Sequence, residues 1–261
     1  MDLQKVLKKI VTEINKKNYN QVIKECEKLI DLKINNTEIY NFYGLALQKI
    51  GLLEESIEYL LKSIQLSKNN FVAMNNLAVT YKGLGKFKMS ENLYKKCLEL
   101  KSDYLVGILN FANLKQETNK FNESIKLFQE AQKLSPRTND LYIFTKLCNL
   151  NQIIGNIEEA KNYAEKIIKF NPNIPTGYIL ISKFIDHKEN MDCIHKMENL
   201  LKSNFIKEDE LIDLFFTLGN AYESIKNYQI ALTYFKKGND LRRKSINFDL
   251  IDFTNLSKNI I

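Results

Sequence analysis

Apolar residues fall three and four apart along this chain, the spacing that lines one face of a helix, and the arrangement recurs every 34 residues. In QKIGLLEESIEYLLKSIQL and KGLGKFKMSENLYKKCLEL, Gly51 and Gly85 stand 34 residues apart and the same apolar pattern follows each; Asn119 in QETNKFNESIKLFQEAQKL falls another 34 on. Ser56, Ser90 and Ser124 share one slot of the period, and Leu60, Tyr94 and Phe128 share the slot four residues later. In the other half of each period a large side chain is followed by a small one, as in Tyr43 and Gly44, Leu77 and Ala78, Phe111 and Ala112, or Leu218 and Gly219. The small residue lets two helices approach closely while the large ones fill the groove between them. The pattern therefore predicts a series of helix pairs.

A 34-residue period with this content resembles the tetratricopeptide repeat. The family's order of aromatic, Leu-Gly, Tyr, then Ala and Phe stands almost intact at Phe215, Leu218, Gly219, Tyr222, Ala231 and Phe235. Earlier repeats fill the same slots with Tyr40, Tyr43, Gly44 and Leu47; Met74, Leu77, Ala78 and Tyr81; Ile108, Phe111 and Ala112; Phe144, Leu147 and Cys148; and Tyr178, Ile181 and Ser182. The repeats so drawn are 3–36, 37–70, 71–104, 105–138, 141–174, 175–208 and 212–245, with 246–261 as a helical extension or a linker to a further domain. The resemblance implies an all-α, right-handed superhelical solenoid over 1–245, its first helices lining a concave face. Pro136 and Pro172 sit where a second helix should stop. The first repeat matches the second helix only at Val22, Cys26 and Leu29, as a terminal repeat with one solvent-facing side does. In 175–208 the second helix should turn Cys193, Met197 and Leu200 to its apolar face.

Composition narrows the chemistry. With 9 Gly, 3 Pro and no Trp in 261 residues, loops able to build an active site are scarce. The formal charge of +7 comes from scattered Lys set against 31 acidic residues, so it describes a solvated face and no nucleic-acid partner is expected. No stretch approaches the roughly 20 apolar residues of a membrane span, and residues 1–17 alternate charged and apolar positions, so no membrane association and a cytoplasmic location are expected. Cys26, Cys97, Cys148 and Cys193 form no CxxC pair and fall in or beside apolar slots, which makes them core thiols rather than a disulfide framework or zinc site. His187 and His195 lack partners at ligand spacing and are read as packing or surface residues. GLGK at 83–86 lies in a turn and is too short to cradle a phosphate. No catalytic residue, cofactor or metal is expected.

What remains is binding. Outward positions of the first helices should carry Asn41, Asn75, Asn76, Lys82, Asn110, Asn113, Asn149 and Asn220, together with Gln48, Gln116, Gln152 and Lys183. An Asn amide offers a donor and an acceptor, so a row of them suits the backbone of an extended peptide whatever its sequence. Similar asparagine rows grip substrate backbone in the solenoid of the glycosyltransferase that adds N-acetylglucosamine to nuclear proteins. The alternative is compositional, because Asn is abundant throughout. Asn41, Asn75 and Lys82 also match part of the clamp by which chaperone-binding relatives hold a terminal carboxylate. Residues 214–250 resemble the last repeat of bacterial tetratricopeptide sulfotransferases, on Gly238, Asn239, Leu241, Arg242 and Arg243, with Phe248 and Asp249 following. That resemblance implies a catalytic domain using 3′-phosphoadenosine-5′-phosphosulfate beyond Ile261, and it makes Arg242, Arg243 and Phe248 a candidate docking surface for it. Two readings stay open: a non-catalytic scaffold for a protein or peptide, and the substrate-presenting half of a sulfotransferase.

Overall fold

The computed structural model describes residues 2–135, 140–202 and 206–245. Among these there are fourteen α-helices and no strand, so the chain is all-α. The helices come in pairs: α1 (Leu3–Asn15) with α2 (Tyr19–Asp31), α3 (Thr37–Lys49) with α4 (Leu53–Leu66), α5 (Phe71–Gly83) with α6 (Phe87–Leu100), and α7 (Leu105–Glu117) with α8 (Phe121–Leu134). They continue as α9 (Asp140–Ile153) with α10 (Ile157–Phe170), α11 (Pro175–Ile181) with α12 (Met191–Leu200), and α13 (Glu208–Ser224) with α14 (Tyr228–Ser245). Contacts divide the chain into two compact units, 1–140 and 141–261.

The turn inside each pair explains the recurring glycines. Lys17, Gly51, Gly85 and Asn119, successively 34 residues apart, all have φ between 58° and 92°. That left-handed residue closes the first helix and lets the next amide reach back five residues, from Asn18 to the Glu13 carbonyl (2.9 Å), Leu52 to Leu47 (3.0 Å), Lys86 to Tyr81 (2.8 Å) and Lys120 to Lys115 (2.8 Å). This satisfies carbonyls that a helix end would otherwise leave open. Gly155 and Lys226 repeat the device in the second unit. Lys17 and Lys226 adopt the conformation without glycine's freedom, a strain of about 1–2 kcal/mol each.

In the first unit the shared serine slot ties the two helices of a pair together. Ser90 Oγ donates to the Ala78 carbonyl (2.7 Å) and Ser124 Oγ to the Ala112 carbonyl (2.8 Å). Ser56 instead donates to Leu53 (3.0 Å) and shares a hydrogen bond with Thr80 of the next pair (3.1 Å). Leu60, Tyr94 and Phe128, four residues on, are fully buried. At Gly44 the second helix comes so near that an added Cβ would stand 2.6 Å from Leu60 Cγ.

The second unit departs from the period at α11. Its first helices are otherwise 14 and 17 residues long, but α11 stops after seven. Beyond Ile181 local side-chain bonds replace the helical ladder: Asp186 Oδ1 accepts the Lys188 amide (2.8 Å), Asn190 Nδ2 donates to the Asp186 carbonyl (2.7 Å), and Ser182 Oγ lies 2.9 Å from His187 Nε2. Such short polar side chains compete with helix wherever they find backbone partners. The apolar face of α12 holds the three residues expected of it, Met197 fully buried and Cys193 and Leu200 partly buried against the same core, and adds Ile194, which is fully buried. The remaining three cysteines are buried, and burial pushes the Cys26 thiol up to about 12 and those of Cys97 and Cys148 to about 11.

Candidate ligand-binding face

The residues singled out on the first helices separate into two rows with different chemistry. In the first unit, Asn41, Asn75 and Asn76 are 7%, 2% and 8% exposed, so the expectation that they point outward is corrected. They bond to one another instead. Asn76 Nδ2 donates to Asn41 Oδ1 (2.9 Å), Asn75 Nδ2 to Asn76 Oδ1 (3.3 Å), and Asn110 Nδ2 to Asn75 Oδ1 (3.0 Å). Gln48 Nε2 adds bonds to the Asn76 carbonyl (2.7 Å) and to Thr80 Oγ1 (2.6 Å). This chain of amides links α3, α5 and α7. A buried amide must be paired, and here neighbouring repeats supply the partners. Lys82 is likewise engaged, with Glu117 at 2.9 Å, and Asn113 donates to the Leu109 carbonyl (2.8 Å).

In the second unit the row differs. Asn149 on α9 is half-buried, and Lys183, just past α11, and Asn220 on α13 are exposed. All three occupy the ninth position of their repeats. Among the described residues none of the three makes a side-chain hydrogen bond or ion pair, so their donors and acceptors face solvent.

One residue of consequence escaped the sequence reading. Lys115, on α7, is 2% exposed, with its ammonium 2.9 Å from Glu91, against Glu123, and 4.9 Å over the Phe111 ring. Burial opposes its charge, but the hydrogen bonds to Glu123 and Glu91 outweigh that and raise its pKa. Glu91, bonded to Lys115 and also to Lys95 and Lys120, is held down at about 2. The available signal was positional: Lys115 occupies the repeat slot that holds Tyr81 and Tyr222 elsewhere.

At the C-terminal end, the Arg242 guanidinium lies 4.8 Å over the Phe216 ring of its own helix pair, whereas Arg243 is exposed. Phe248 lies outside the described residues. Among those described, no cluster of His, Cys, Asp and Glu could hold a metal ion, and no helix is long and apolar enough to cross a membrane.

Comparison with known proteins bears on this geometry. Tetratricopeptide repeat models match residues 37–70, 72–101 and 212–245. An uncharacterized protein of Aquifex aeolicus is 28% identical over 123 residues, 47% of this chain and only 16% of that protein's length. Among solved structures, the C-terminal part of a tetratricopeptide protein from Cytophaga hutchinsonii is similar with a TM-score of 0.68 at 15% identity, covering 90% of this chain and 95% of that one. PilF of Pseudomonas aeruginosa gives 0.61 at 18% identity over 85% and 97% of the two chains. YrrB, described as a tetratricopeptide protein with an unusual peptide-binding site, gives 0.54 at 17% identity over 72% and 94%. The chain thus carries tetratricopeptide repeats at these three stretches and shares the all-helical fold of tetratricopeptide proteins.

Proposed function

We propose that the chain is a protein-binding scaffold whose working surface is the row of first helices, and that in the second unit Asn149, Lys183 and Asn220 engage an extended segment of a partner. The observation that carries this is the free hydrogen-bonding capacity of those three side chains at equivalent repeat positions. Peptide binding by YrrB, a protein of the same fold, supports the reading. In the first unit, Asn41, Asn75, Asn76 and Asn110 serve mainly to join repeats, because their amides already satisfy one another. Selection of peptides from a displayed library against the full chain tests the proposal: sequences should be enriched, and replacing all three second-unit residues by Ala should abolish their retention without altering the far-ultraviolet circular dichroism. Peptides that the triple variant retains unchanged would exclude this surface.

The resemblance of residues 214–250 to the sulfotransferase repeat supports a second role, docking of a following domain at the end of α14. Arg243 is the residue free to serve it, since Arg242 stacks on Phe216. Arg243→Glu in a chain that carries the downstream domain should loosen the junction to limited proteolysis; unchanged protection would remove that role.

A further inference from the structure

α11 ends at Ile181, and residues 182–190 continue as a loop before α12. A cavity of about 310 Å³ lies there between the loop after Ile181 and α13, lined by Ser182, Lys183, His187, Thr217, Asn220 and Ser224. Its polar groups are not equally available. Thr217 Oγ1 donates to the Asp213 carbonyl (2.8 Å) and Ser224 Oγ to Ala221 (2.7 Å), so both hydroxyls retain only acceptor lone pairs. His187 is 6% exposed and paired with Ser182 through Nε2, while its Nδ1 is buried without a partner among the described residues. Lys183 and Asn220 keep all their donors. The lining thus combines one unpaired cation and a free amide with hydroxyl oxygens that can accept a peptide N–H. It also holds one carboxylate, Asp186, whose Oδ1 already accepts the Lys188 amide.

We infer that this cavity is a specificity pocket for a single acidic side chain, Asp or Glu, of the extended segment bound by the second unit. The inference rests on the proposed function above. The side-chain carboxylate takes the Lys183 ammonium and an Asn220 N–H, a charge-assisted pairing, and the adjoining peptide N–H can be accepted by Thr217 or Ser224. Asp186 opposes a second negative charge and so disfavours a phosphorylated residue. The pocket exists because Ser182, Asp186 and Asn190 end the helix; the first helices on either side, α9 and α13, run on past the corresponding point.

The test uses three pentapeptides, acetylated and amidated so that no terminal charge remains, with Glu, Gln or phosphoserine between glycines. Each is titrated into the isotope-labelled full chain and followed by amide chemical shifts. The Glu peptide should perturb residues 182–187 and 217–224 and bind about tenfold more tightly than the Gln peptide, the ratio of a single charge-assisted bond. Phosphoserine should bind no better than Glu. Lys183→Gln should erase the preference for Glu, and Asp186→Asn should improve phosphoserine relative to Glu. Equal binding of Glu and Gln peptides along α9, α11 and α13 would overturn the pocket while leaving the binding face standing. Shifts elsewhere, tighter binding of phosphoserine, or no binding of any peptide would overturn the pocket as well. Lys183 and Asn220 are exposed, so their variants should fold, which the unperturbed spectrum verifies.

Discussion

Replacing Gly44 by Ala sets two effects of opposite sign against each other. Gly44 lies inside α3, where Ala is favoured over Gly by about 1 kcal/mol on helix propensity. The added methyl would stand 2.6 Å from Leu60 Cγ, 2.9 Å from Leu60 Cδ2 and 3.2 Å from the Ser56 carbonyl oxygen, against the roughly 3.5–4.0 Å of favourable contact. Leu60 is fully buried and its clashing atom is the branch point, so turning the terminal methyls cannot relieve the overlap and swinging Cγ away would force a new rotamer into a packed core. Overpacking of this kind costs about 1–3 kcal/mol, and with a backbone oxygen also in the way the upper end applies. The net expectation is a loss of about 2 kcal/mol, read by native-state hydrogen exchange of amides in α3 and α4 with urea unfolding as a check. Leu60→Ala alone should cost about 2–5 kcal/mol. The double variant should be better than the sum by about 1–2 kcal/mol, since the new methyl then enters the cavity. A Gly44→Ala chain as stable as the parent, or strict additivity, would refute the close approach.

Asn76→Ala removes the centre of the buried amide chain and strands Asn41 Oδ1 and Asn75 Nδ2; a loss of about 1–3 kcal/mol is expected in urea unfolding, far more than an exposed Asn would show. Lys226→Gly relieves a left-handed turn residue and should raise stability by up to about 1 kcal/mol, with the melting temperature as readout. The Glu91 carboxyl is held at about 2, chiefly by its bond to Lys115, well below the ordinary value near 4.3. Its stabilisation is therefore complete above about pH 4.5 and lost as the pH falls toward 2. Urea midpoints measured across that range should drop less steeply in Glu91→Gln than in the parent.

The helix pairs were legible because the constraint that makes them is periodic. Gly51, Gly85 and Asn119 mark the left-handed closure of the first helices, and Ser90 and Ser124 mark a helix-to-helix bond, so each leaves a trace at a fixed interval. The candidate surface was less legible. Asn41, Asn75 and Asn76 have the residue type of a binding row, yet whether an amide faces solvent or its neighbour depends on how near the next repeat lies, a distance no single repeat encodes. Lys115 shows the same limit, a charge in an apolar slot made tolerable by Glu91, which is 24 residues away. The shortening of α11 had a local cause in Ser182, Asp186 and Asn190, but those side chains also occur in intact helices, and only their actual backbone partners distinguish the two outcomes.

The central claim is that partners bind along the first helices of the second unit through Asn149, Lys183 and Asn220. The most direct measurement places a photo-crosslinking amino acid at Asn149, at Asn220, or at Glu158, an exposed position on the second helix α10, and irradiates the full chain with a library-selected peptide. Crosslinks are expected from 149 and 220, suppressed by excess unlabelled peptide, and none from 158. Competable crosslinks from 158 with none from 149 or 220 would contradict it.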